Sequence, residues 1–178
     1  MAAAARSRPA RVAAAPPEVA YPEAVAPSPE EAAEELASAF EFMDSWGERY
    51  QYLIELGSKL KPMPAELKTE ANRVRGCQST VFMAARKRPG TADVLEFLAD
   101  SDADLVRGLI AVLQRLFSGQ RAAQVLEFDV EGFFRRLGLD QHLTLGRRNG
   151  LAAMVQRVRH FASALIEPAA VGKDGRIQ

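Results

Sequence analysis

The sequence predicts an α+β fold, a small antiparallel β-sheet of about three strands packed with helices that precede and follow it in the chain. Two observations carry this expectation. Apolar residues recur at three- and four-residue spacing in both the first and the last thirds of the chain, as amphipathic helices require. Between Asn72 and Ala99, β-branched and aromatic residues gather instead in short runs punctuated by glycine and proline. No internal repeat is visible.

Six of the ten prolines fall within residues 1–30, among alanines and a few charges. Proline at that density removes amide donors, and alanine buries too little surface to offset the entropy of ordering, so this stretch is expected to be a disordered extension. Arg6, Arg8 and Arg11 arrive there before any acid, which is weakly like an organelle transit peptide, whereas scarce serine and the early Glu18 and Glu23 suit a low-complexity cytoplasmic extension. Residues 31–167 are then the folded domain, and residues 168–178 a flexible tail.

Within the domain, Leu36, Phe40, Met43 and Trp46 keep helical spacing from about Glu31. Ser45-Trp46-Gly47-Glu48 has the form of a capping box, so a second helix starts there and runs through Leu53 and Ile54 to Gly57, with Pro62 and Pro64 preventing its continuation. Strands are expected at Asn72–Arg75, Thr80–Arg86 and Val94–Ala99, the last two joined as a hairpin across Pro89-Gly90. Ser101-Asp102-Ala103-Asp104 supplies acceptors and negative charge for the start of a core helix, whose wide apolar stripe runs from Leu105 to Phe117. A short helix over Ala122–Leu126, another from Val130 capped by Asp129, and a long one from about Arg148 to Glu167 complete the chain.

Composition narrows the function. The 178 residues carry 23 basic and 23 acidic side chains, so there is no cationic excess to draw the chain to nucleic acid or an anionic membrane. No apolar run reaches the length that spans a bilayer. One cysteine, Cys77, excludes an intramolecular disulfide, and with only His142 and His160 beside it an ordinary zinc site is not supplied; no cofactor is expected.

Cys77 lies in Arg75-Gly76-Cys77-Gln78-Ser79, between strand candidates and hence on a loop. Gly76 permits positive φ next to the sulfur, and Arg73 and Arg75 could favour the nucleophilic thiolate. A lone cysteine is equally a small buried hydrophobe, so packing and reactivity both stay open at this point. A self-contained thiol hydrolase would need a base beside the sulfur. His160 sits on the last helix as a solvated or core-edge residue, and His142 precedes that helix in a more open loop. Transfer of a group received from another enzyme demands less, because the partner brings the cofactor and the acid–base groups.

Arg75-Gly76-Cys77-Gln78-Ser79-Thr80-Val81-Phe82 resembles the signature of the SufE family, sulfur acceptors for cysteine desulfurases in iron–sulfur cluster assembly. Trp46–Gly57, the Asp100–Ala103 segment running into Val106–Ala111, Gln141–Thr144 and Asn149–Met154 resemble further family segments in the same order. The resemblance implies a carrier rather than a stand-alone enzyme. It would take persulfide sulfur from a pyridoxal-phosphate cysteine desulfurase of SufS type onto Cys77, stimulate that enzyme, and pass sulfur to a SufBCD-type scaffold, as a cytoplasmic protein that could form a homodimer. Gly76, Arg147, Asp102 and His142 are the supporting positions it implies. Leu145 and Gly146 replace the proline and serine frequent in the family, and Arg148 follows, which leaves open which arginine acts near Cys77. Two other readings compete: an adaptor in which Cys77 is packing, and an IscU-type scaffold, whose three-cysteine site this chain lacks.

Overall fold

The computed structural model describes residues 18–167, 176 and 177. Its elements run α1 (Pro29–Glu41), α2 (Trp46–Ser58), β1 (Val81–Lys87), β2 (Val94–Ser101), α3 (Asp104–Phe117), β3 (Gln120–Arg121), α4 (Ala122–Glu127), α5 (Val130–Leu137), α6 (Leu139–His142) and α7 (Leu145–Ile166). The fold is α+β. One antiparallel sheet has the order β1-β2-β3, with Val81 opposite Ser101 at one end of the β1-β2 pair and Lys87 opposite Leu95 at the other.

Alternation along the strands explains both faces of the sheet. Val81, Met83 and Ala85 of β1 and Leu95, Phe97 and Ala99 of β2 point into the main core, where α3 and α7 cover them. Ala84 and Leu98 point the other way, onto Met63 and the side chains of Val19 and Tyr21. With both faces covered, the strands read as nearly continuous apolar runs. Glu96 breaks the run and is buried; Arg86 and Arg88 donate to its carboxylate at 2.8 and 2.7 Å, which offsets the cost of taking it out of water. The Arg86 guanidinium in turn lies 4.2 Å from the Tyr21 ring centroid.

Two expectations need correction. The third strand is Gln120–Arg121, paired with Leu95 and Val94, and not Asn72–Arg75. Glu70–Asn72 instead forms a single 3-10 turn, and the following residues join β1 as an isolated Arg73–Phe82 bridge, with the Val74 amide donating to the Val81 carbonyl at 2.9 Å. A two-residue strand has no periodicity to read. The extension also begins to end earlier than residue 30. Residues 1–17 lie outside the described residues, but from Glu18 the chain packs on the domain: Ser118 donates to the Pro22 carbonyl at 2.8 Å and Gln120 to the Ala26 carbonyl at 2.9 Å. These partners are 96 and 94 residues apart in sequence, so composition could not reveal them. Of the tail, 168–175 and 178 lie outside the described residues, while Arg176 bridges to Arg86 on the edge of β1.

α2 and α3 cross closely because both carry glycine at the contact. A Cβ added at Gly57 would stand 2.6 Å from the Gly108 nitrogen, and one added at Gly108 would collide with the Leu53 carbonyl. The capping box at the start of α2 forms as expected, with Ser45 accepting from the Glu48 amide and the Glu48 carboxylate accepting from the Ser45 amide.

Candidate functional site

Cys77 sits in the loop between Val74 and Val81, whose ends are drawn together by the Val74 to Val81 hydrogen bond. Gly76 takes φ +86, a conformation that costs a residue with a side chain, and turns the chain so that the cysteine faces inward. The loop then lies along one face of the first half of α7. An added Cβ on Gly76 would meet Ala153 at 3.6 Å, the Cys77 sulfur faces Gly150, and the Gln78 amide occupies the space a side chain at Gly146 would need. Small residues at 146, 150 and 153 thus form a helical groove, spaced at three and four, that receives residues 76–78.

The sulfur is half-buried, and its S–H is placed to donate to the Gly150 carbonyl, 3.6 Å away. Val106 and Leu109 of α3 and Leu151 and Met154 of α7, all buried, line a hollow of about 90 Å³ beside it. Burial pushes the Cys77 thiol above its ordinary value, because the thiolate loses hydration there. The expected electrostatic help from Arg73 and Arg75 is therefore not present in this arrangement. Both guanidiniums reach Glu70 instead, at 3.5 and 3.2 Å.

The sequence-derived candidates divide. Arg147 lines the Cys77 hollow and also the neighbouring groove formed with Tyr50, Ile54 and Leu105. Arg148 lies on a different hollow, with Phe134, Leu139 and Val155. Asp102 holds the far end of the cysteine loop: its carboxylate accepts from the Thr80 amide at 3.1 Å. It does not cap α3, as its position predicted; the N-cap residue is Ala103, and Asp104 supplies the acid of the first turn. His142 ends α6, exposed, with its ring stacked on Trp46 at 3.8 Å, and it does not line the Cys77 hollow. Gly146, Gly150 and Gln78 complete the seat of the loop and escaped the sequence reading. Two glycines four apart at the start of a helix were the available signal, since each weakens a helix and so needs a packing reason.

No cluster of three or more His, Cys, Asp or Glu side chains that could hold a metal is found among the described residues. None of their helices is long and apolar enough to cross a membrane.

Comparison with known proteins gives the family and the fold. Residues 34–162 match the SufE family, described as the Fe-S metabolism associated domain. An uncharacterized SufE-like protein of Rhizobium meliloti is 39% identical over 130 residues, which cover 72% of this chain and 93% of that one. A second, from Rhizobium etli, is 36% identical over 130 residues, covering 72% and 88%. Among solved structures, the solution structure of a hypothetical protein from Thermus thermophilus superposes with a TM-score of 0.63 at 24% identity, covering 76% of this chain and 96% of that one, a likeness of fold.

Proposed function

The chain belongs to the SufE family, which ties it to Fe-S metabolism, and on that premise we propose that it is a sulfur acceptor whose carrier atom is the sulfur of Cys77. The donor is a pyridoxal-phosphate cysteine desulfurase of SufS type, which this protein stimulates, and the recipient is a SufBCD-type cluster scaffold. The single observation that carries the proposal is the seating of the chain's one cysteine, at a glycine-turned loop, against a hollow of about 90 Å³ with both apolar and polar lining residues, large enough for more than a thiol.

The transfer balances without an added oxidant or reductant. The Cys77 thiolate attacks the outer sulfur of the desulfurase persulfide, a new S–S bond forms on Cys77, and the old one breaks with the desulfurase cysteine leaving as thiolate. The proton that Cys77 gives up matches the one the leaving thiolate takes. Because burial disfavours the thiolate at rest, the loop must leave its seat for attack, with the Arg147 cation at the rim of the hollow able to favour the anion as it forms. On return, the outer sulfur occupies the hollow, away from water and oxidants. Gly76 supplies the turn, Asp102 the anchor, and His142 acts through its place at the end of α6, two residues before the cap of α7.

The protein acts as a carrier, with no His, Asp or Glu among the described residues that line the Cys77 hollow, and the acceptor domain includes the strap before residue 31 together with residues 31–167. Cys77→Ser replaces one half-buried atom and should leave the fold intact while abolishing desulfurase stimulation. Full stimulation by a folded serine variant would instead favour an adaptor in which the cysteine only packs.

A further inference from the structure

Trp46 and Tyr50 stand one turn apart on α2, their rings edge to face at 5.7 Å. Both reach across to the end of α6. The Trp46 indole stacks on the His142 imidazole with centroids 3.8 Å apart and planes 16° apart, and the Tyr50 hydroxyl donates to the His142 carbonyl. Gly138, which joins α5 to α6 at φ +77, lies beneath the same indole; an added Cβ would stand 2.9 Å from Trp46 Cζ2. A helix of four residues cannot hold its own position, so these contacts, together with the burial of Leu139 and Leu143 in the core, set where α6 lies.

Directly after α6 comes the seat of the cysteine loop. Thr144, two residues past His142, caps α7, and Gly146, Arg147 and Gly150 come within its first six residues. Gln78 rests on Gly146 and Cys77 on Gly150. Tyr50 itself shares a groove with Arg147. The path from α2 to the sulfur is short and continuous.

From this juxtaposition we propose that Trp46 and Tyr50 are positioning residues for Cys77: their clip on His142 holds the start of α7 against the cysteine loop, and loosening the clip frees the thiol from its seat. The purpose of that control rests on the sulfur-acceptor reading, but the control itself is a property of the free chain.

The test is the rate of Cys77 alkylation by iodoacetamide across pH, on the full chain without a desulfurase, in wild type, Tyr50→Phe, Trp46→Phe and Tyr52→Phe. Tyr52 packs edge-on to Phe40 at 5.8 Å and serves as the control ring on the same helix. Tyr50→Phe should raise the rate near neutral pH by about twofold to tenfold, the ratio that corresponds to losing one ordinary hydrogen bond, and should move the midpoint of the profile down as the thiol gains hydration. Trp46→Phe should shift in the same direction, and Tyr52→Phe should stay on the wild-type curve. A purely structural role would lower the melting temperature and leave the pH profile in place. Superimposable profiles for Tyr50→Phe and wild type overturn the proposal, as does an equal shift in Tyr52→Phe; should Trp46→Phe not fold, Tyr50→Phe decides. A wild-type chain that takes no sulfur from a desulfurase sinks the acceptor reading and leaves this result standing.

Discussion

The sulfur of Cys77 and the carbonyl oxygen of Gly150 lie 3.6 Å apart, across 73 residues of sequence. In that pairing the resting thiol is protonated and is the donor, and its sulfur faces a helix position that carries no side chain. An added Cβ there would lie 3.5 Å from the sulfur, in ordinary contact, so alanine fits the reduced protein but takes space from the hollow. Gly150→Ala should therefore keep or raise stability, by up to about 1 kcal/mol from helix propensity. It should also shorten the lifetime of a persulfide on Cys77 in aerated buffer. A persulfide as long-lived as in wild type would show that the outer sulfur does not use this hollow.

Loop anchoring is tested at Asp102. Its carboxylate is the acceptor for the Thr80 amide, and Asp102→Ala leaves that amide to water, at a cost of about 1 kcal/mol. Hydrogen exchange at Thr80 should accelerate and Cys77 should alkylate faster, whereas unchanged exchange would mean that the bond does not hold the loop.

Much of this arrangement was legible in the sequence, and the remainder shows what sequence lacks. The capping box of Ser45 and Glu48, the hairpin across Pro89-Gly90 and the apolar stripe of α3 all follow from local spacing, and each is present. The positive φ of Gly76 was likewise readable from a glycine beside a loop cysteine. The strand at Gln120–Arg121, the strap from Glu18 to Ala26 and the groove of Gly146 and Gly150 are made by contacts between distant segments, which no window of residues contains. Arg73 and Arg75 mislead for a different reason: nearness in sequence to Cys77 does not choose between partners, and both guanidiniums reach Glu70, which is just as local.

The thiol carries a pH signature. Its folded value is raised by burial, so the stability it contributes is fully present below the ordinary thiol range, about pH 8.5, and is lost as pH rises through the raised value. Urea midpoints of wild type should fall on going from neutral to strongly alkaline buffer by more than those of Cys77→Ala, which has no thiol to ionise. Parallel decline in the two proteins would place the thiol in water.

Helix crossing sets a stability prediction away from the site. Gly108→Ala puts a Cβ into the Leu53 carbonyl, a backbone group that cannot rotate away, so α2 must move. The loss should be about 1–3 kcal/mol by urea unfolding, against the gain alanine ordinarily brings to a helix interior.

Whether Cys77 carries sulfur is read directly by intact-protein mass spectrometry. After incubation with a cysteine desulfurase and free cysteine, then removal of small thiols, the wild-type chain should gain one sulfur atom that peptide mapping locates on Cys77, lost on mild reduction and missing from Cys77→Ser. An unchanged mass for the wild-type chain, with the desulfurase active and its own persulfide formed, would contradict a carrier role for Cys77.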